Sequence, residues 1–128
     1  MTILLIEDNP ADVDIISELL SDQKGSPFDI ICADRVSTSA PFFAKGGIDI
    51  ILLDLGLPDS QGLDTLRRVR NMAGEVPIVV LTMLDNEETG LNALKAGAQD
   101  YLVKGQMNGS SIARSLRYAI ERGRIKKN

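Results

Sequence analysis

The chain has 128 residues, 44% hydrophobic and 25% charged, with a net charge of −4, one cysteine and no histidine. That length suits one globular domain able to bury roughly two-thirds of its unfolded surface, and a single cysteine excludes a disulfide framework. The lack of histidine removes the commonest general base and any histidine metal site, no apolar run reaches membrane-spanning length, and no GxxxxGK[ST] loop is present to cradle a nucleotide phosphate.

Short apolar runs alternate with amphipathic segments. "TILLI" (2–6) reads as the first strand, and a helix follows from Pro10. Asn9 can cap that helix, Pro10 suits its first turn, and Val13, Ile16 and Leu20 share one face. "IICA" (30–33) reads as the second strand, with Cys32 as small core packing. Residues 37–45 are read as a helix against the presence of Pro41 about one turn in. "IDIILL" (48–53) is the third strand, and 61–71 is a helix with Leu63, Leu66 and Val69 on its inner face. "PIVVLT" (77–82) is the fourth strand. The helix Glu87–Ala96 is expected to turn Leu91 and Leu94 inward and to end at Gly97. "YLVK" (101–104) is the fifth strand, and Ile112, Leu116, Ala119 and Ile120 mark the face of the last helix. Asp59, Asp85 and Asp100 read as turn and cap residues.

Several strand runs are apolar without alternation, as parallel strands covered on both faces require. Five strand-then-helix units predict a doubly wound α/β sandwich, in which ligands bind at the carboxyl ends of the strands. Four of the runs stop on polar residues there: Glu7 and Asp8, Asp54, Thr82, and Lys104. An ionised acid such as Asp54 at the end of "DIILLDLGLPDS" (49–60) is costly to bury without a partner. The fold gathers these tips on one edge, so the carboxylates read as a site. Carboxylates without histidine or thiol favour a hard, oxygen-loving cation such as Mg²⁺. A lysine and a threonine hydroxyl around one carboxylate complete the parts that phosphoryl transfer needs, with Asp54 as a nucleophile that forms an acyl phosphate.

At these residues the sequence resembles the receiver domain of two-component response regulators, over nearly its whole length. The matching positions are Glu7–Asp8, Asp54, Pro58 and Gly62 in "DLGLPDSQG", Thr82, Tyr101 in "DYLVKG", and Lys104. The resemblance implies a flavodoxin-like fold, a five-stranded parallel sheet in the order 2-1-3-4-5 with five helices. It implies that Asp54 accepts a phosphoryl group from a sensor histidine kinase or phosphotransfer protein. Asp8, Asp54 and the Gly56 carbonyl would bind Mg²⁺, with Glu7 acting through water. Lys104 and Thr82 would contact phosphoryl oxygens. Movement of Thr82 would let Tyr101 turn inward and change the surface of the fourth helix, fifth strand and fifth helix. A phosphorylation-dependent dimer and an unknown downstream effector or output domain belong to the same expectation.

Three positions depart from the family pattern. Gly105 follows the lysine where proline is usual, Met83 follows Thr82 where a small residue is common and could crowd the phosphodonor, and Gly56 offers no side chain to tune hydrolysis. The resemblance implies a signalling switch and not an enzyme, with at most slow self-dephosphorylation. An aspartyl-phosphate phosphatase would need a second acid where Gly56 stands. A flavin carrier would want a phosphate-binding loop in place of the acidic "EDNPAD" (7–12) and aromatics beyond the 4% present. A receiver-like module that is never phosphorylated is the third alternative.

The charge is unevenly placed. Residues 112–128 hold six Lys/Arg and one acid, a balance of +5 that leaves −9 on residues 1–111. An acidic body argues against direct nucleic-acid binding by the domain, and no membrane contact is expected. The expected organisation is a receiver domain over 1–121 and a basic helix end over 122–128 leading toward an output module. Packing of the last helix should stop near Ile120. A reducing, cytoplasmic setting is the expectation.

Overall fold

The structure is a computed structural model that describes residues 1–21, 28–83 and 87–127. Five strands form one parallel sheet: β1 (Thr2–Ile6), β2 (Asp29–Ala33), β3 (Ile50–Asp54), β6 (Ile78–Thr82) and β7 (Asp100–Val103). Their order is β2-β1-β3-β6-β7, which is the expected 2-1-3-4-5 once two short strands are set aside. Those two, β4 (Gly56–Leu57) and β5 (Ser60–Gln61), pair antiparallel as a small hairpin around Pro58 and Asp59. The sequence reading did not anticipate it. The third strand begins two residues later than expected and takes in Asp54, which pairs with Leu81.

The unbroken apolar runs follow from cover on both faces. Ile3 and Leu5 of β1, Ile50 and Leu52 of β3, and Val79 and Leu81 of β6 face one core. That core is closed by Ile16 and Leu20 of α1 (Pro10–Ser21) and Ile112, Leu116, Ala119 and Ile120 of α5 (Gly109–Lys127). The alternate residues Leu4, Ile6, Ile51, Leu53, Ile78 and Val80 face the other core. It is closed by Val36 of α2 (Val36–Lys45), Leu66 and Val69 of α3 (Leu63–Ala73), and Ala93 of α4 (Glu87–Lys95). No helix among the described residues is long and apolar enough to cross a membrane.

Helix ends match the local chemistry. Asn9 Oδ1 accepts from the Ala11 N–H at 2.9 Å, the capping contact expected at the start of α1. Pro41 lies inside α2, whose exposed outer face tolerates the missing donor. Its first turn is held from outside, because the Asp59 carboxylate accepts from the N–H groups of Val36 and Ser37, both at 3.0 Å. Asp59 is thus a cap, but of a helix 23 residues before it. Asp100 accepts from the Tyr101 N–H at 2.8 Å and the Ser115 hydroxyl at 2.7 Å, so it ties β7 to α5 and caps no helix. The expectation for Asp85 lies outside the described residues.

Three expectations are corrected. Leu91 and Leu94 do not turn inward; they are 52% and 37% exposed. The inner face of α4 is Gly90 and Ala93, because the Tyr101 ring fills the space beneath it. A Cβ on Gly90 would lie 2.5 Å from Tyr101 Cδ2. Cys32 is exposed on the edge strand β2 and lines a groove with α1 and α2. An edge strand is covered on fewer sides than the central strands, so its apolar run does not guarantee burial. Packing of α5 also passes Ile120: Arg122 Nη2 donates to the Gln99 carbonyl at 2.9 Å, and Gly123 faces the Pro77 ring. The helix backbone continues without a break to Lys127.

Candidate functional site

The carboxyl ends of β1, β3, β6 and β7 meet at one edge of the sheet, and the sequence-predicted residues stand there. The Glu7 N–H donates to the Ala33 carbonyl at 2.9 Å, which extends the β1–β2 ladder and turns its side chain into the protein; the residue is 2% exposed. Asp8 follows in an exposed position. Asp54 ends β3 half-buried, and its Oδ1 accepts from the Gly56 N–H at 3.0 Å. One carboxylate oxygen each from Glu7, Asp8 and Asp54 lie within 4.8 Å of one another.

Lys104 enters from beyond β7, its N–H donating to the Thr82 carbonyl at 2.8 Å. Its ammonium forms ion pairs with Glu7 Oε1, with Asp12 Oδ2 at 3.0 Å and with Asp54 Oδ2 at 3.1 Å. Burial alone would lower the lysine pKa. Hydrogen bonds to Glu7 and Asp12 and the charges of Asp54 and Glu7 outweigh it, so the ammonium is held above the ordinary lysine range. Next in sequence, Gly105 turns the chain with φ +89°, a conformation closed to proline.

Glu7 moves the other way. Burial, then hydrogen bonding with Asp54 and Asp54's negative charge, push its carboxyl up to about 8 against the opposing pull of Lys104. Its Oε1 is enclosed, with the Lys104 ammonium as its partner. Glu7, Asp8 and Asp54 bring three carboxyl groups to one spot, where Lys104 is the cation paired with two of them, more acid than that one ammonium balances. That donor set fits a hard divalent cation.

Thr82 ends β6, 5% exposed, and its Oγ1 lies 3.5 Å from the Leu102 carbonyl. It shares with Asp54 and Lys104 a cleft of about 420 Å³ whose walls include Gly56, Met83 and Gln61. Met83 is 57% exposed at the mouth. A Cβ on Gly56 would fit without a clash, in ordinary contact with Gln61 Oε1 at 3.8 Å and Asp54 Oδ1 at 3.9 Å. Tyr101 is not part of this cluster; its half-buried ring packs against the second core and over Gly90.

Sequence reasoning missed Asp12 and Gln61. Asp12 stands one turn beyond Asp8 in a helix that starts at the same tip, a spacing that could have flagged it. Its partner is 92 residues away, and no local pattern announces that. Chemically the cluster offers a carboxylate nucleophile, a fixed cationic donor, a hydroxyl and a place for a cation, which are the requirements of phosphoryl transfer.

Comparison with known proteins gives a consistent picture. The profile described as the response regulator receiver domain matches residues 3–117. The swarming motility regulation protein RssB of Serratia marcescens is 35% identical over 104 residues, covering 81% of this chain and 46% of that protein. The cell cycle transcriptional regulator CtrA of Caulobacter vibrioides is 33% identical over 114 residues, covering 89% and 48%. The chain therefore spans about half the length of the curated relatives it matches. Among solved structures, the receiver domain of a Pseudomonas aeruginosa sensor histidine kinase, with a magnesium ion coordinated in its active site cleft, has a TM-score of 0.77. It is 28% identical, with 94% of this chain and 97% of that one covered. A receiver domain protein from Clostridium thermocellum shares the fold at a TM-score of 0.81 and 23% identity, with 97% of each chain covered.

Proposed function

This chain belongs to the response regulator receiver domain family of two-component systems, and on that premise we propose that Asp54 accepts a phosphoryl group from a histidine on a sensor kinase or phosphotransfer protein. The observation that carries the reading is the contact of Lys104 with Asp54 Oδ2 at 3.1 Å, inside a cluster that also holds Glu7, Asp8 and Thr82. An Asp54 oxygen attacks phosphorus, the P–N bond to the donor histidine breaks, and the imidazole nitrogen keeps the electron pair. The product is an acyl phosphate on Asp54. Lys104 and the Thr82 hydroxyl donate to its oxygens, which carry most of the developing charge.

Asp8 and Asp54, with the Gly56 carbonyl, would hold magnesium, and Glu7 would act through water. When bound, that ion supplies neutralisation of the phosphoryl oxygens. The phosphoryl group adds roughly −1.5 to −2 charge at neutral pH. Drawing Thr82 toward it makes room for Tyr101 and alters the face of α4, β7 and α5, where Leu91 and Leu94 are exposed. That face would engage a downstream effector, a second copy of the phosphorylated chain, or an output region joined through α5. In this reading the module is 1–121, it works in the cytoplasm as a switch without turnover of its own beyond slow self-dephosphorylation, and it contacts neither nucleic acid nor membrane.

Incubation with acetyl phosphate and Mg²⁺ followed by intact-mass measurement tests the assignment. One added phosphoryl group is expected, absent in Asp54→Asn. Incorporation that persists in Asp54→Asn overturns it.

A further inference from the structure

We propose that Asp12 is a positioning residue that competes with the phosphoryl group for the Lys104 ammonium, and thereby restrains loading of Asp54. The inference rests on the reading of Asp54 as phosphoacceptor. An ammonium has three protons, and Lys104 faces three carboxylates carried by three elements: Glu7 past β1, Asp12 in α1 and Asp54 in β3. A phosphoryl oxygen that approaches Lys104 meets an ammonium whose protons already face these three groups.

The three differ in what release would cost. The Glu7 side chain is 0% exposed, so freeing it leaves a buried polar group that water cannot reach. Asp54 carries the new group and cannot move off. Asp12 has 26% of its side chain exposed, and it stands in the first turn of α1, where the free N–H groups of the helix favour a negative charge. Water and the helix terminus can stabilise it after release. Asp12 is therefore the partner exchanged for phosphate. Before loading, it occupies a donor that the transferred group requires and adds a negative charge beside the incoming dianion.

Lys104 also joins two parts of the fold. Its N–H is bonded to Thr82 at 2.8 Å, and its ammonium reaches Asp12 at 3.0 Å. The exchange therefore unpins the first turn of α1 from the turn after β7 at the moment Thr82 is drawn to the phosphate. A change at Asp54 is thereby transmitted to α1 through one side chain.

Wild type, Asp12→Asn, Lys104→Met and the double variant are loaded with sub-saturating acetyl phosphate at one Mg²⁺ concentration and followed by intact mass. Asp12→Ser serves beside Asp12→Asn. In a second measurement, without phosphate or Mg²⁺, limiting acetic anhydride labels the amines, and Lys104 is scored against the exposed Lys95 in the same chain. Asp12→Asn should load about two- to fivefold faster, the range of a partly exposed ion pair, and its Lys104 should label more readily because one shielding carboxylate is gone. In the Lys104→Met background, removing Asp12 should change nothing. Unchanged loading with unchanged labelling overturns the proposal. So does an equal acceleration without Lys104, which would reduce Asp12 to one more surface charge. Failure of every chain, wild type included, to take up phosphate strikes the reading of Asp54 instead, and the labelling ratio still decides whether Asp12 holds the ammonium.

Discussion

Raising the pH of the metal-free protein should destabilise it, and Glu7 should be the cause. Its carboxyl is 2% exposed and is pushed from 4.5 to about 8 by burial, by its hydrogen bond with Asp54 and by that residue's charge. A folded pKa above the unfolded one means that the folded protein binds the proton more tightly. The contribution is complete below 4.5 and is lost as pH rises through about 8. The other shifted groups leave this window alone. Lys104 also holds its proton more tightly when folded, and that contribution is complete below 10.5. Asp34 and Asp59 are lowered, so what they contribute is lost only as pH falls below 3.8. Integrating the Glu7 shift from about pH 5.5 to about pH 8 gives a loss of about 3 kcal/mol. That figure is a ceiling, because the adjacent Lys104 ammonium can move to meet the new charge. In a chain of this length about 1 kcal/mol moves Tm by about 4 °C, so the drop is at most about 12 °C. Thermal unfolding in chelator at both pH values reads it directly. Saturating Mg²⁺ should flatten the dependence, since a cation takes the place of the proton, and Glu7→Gln should flatten it without metal. A metal-free Tm that stays level or rises over this window, or a Gln variant with the wild-type slope, refutes the reasoning.

Mg²⁺ affinity should fall further in Asp8→Ala than in Glu7→Ala, as titration calorimetry would show; equal losses would contradict the direct-ligand role proposed for Asp8. Asp59→Ala removes the acceptor for the Val36 and Ser37 N–H groups and should cost about 1–2 kcal/mol in denaturant unfolding, with faster amide exchange at the start of α2. Gly90→Ala should destabilise by about 1–3 kcal/mol, because its Cβ would lie 2.5 Å from Tyr101 Cδ2, and the ring cannot clear it at so short a lever arm. In a Tyr101→Ala background the same change should stabilise by up to about 1 kcal/mol through helix propensity, and failure of the sign to reverse would rule out the clash.

The architecture was legible in the chain because its signals are local. An apolar run without alternation, such as Ile50–Leu53, states that both faces are covered, and the repetition of strand and helix leaves few topologies. Asn9 before Pro10 marked the start of α1 by chemistry confined to two residues. The site was legible for a related reason: Glu7, Asp8, Asp54, Thr82 and Lys104 each end an apolar run, and a doubly wound sheet puts such ends on one edge. Other features depend on what stands opposite, which neither periodicity nor propensity contains. Leu91 and Leu94 face outward because the Tyr101 ring claims the space under α4 and admits only Gly90 and Ala93 there. Cys32 is exposed because β2 is an edge strand, a property of sheet order and not of its own residues. Asp59 caps a helix 23 residues upstream, and Asp12 meets an ammonium 92 residues downstream. A charge takes the partner that packing brings within about 3 Å, so where those contacts fall was decided by the tertiary structure alone.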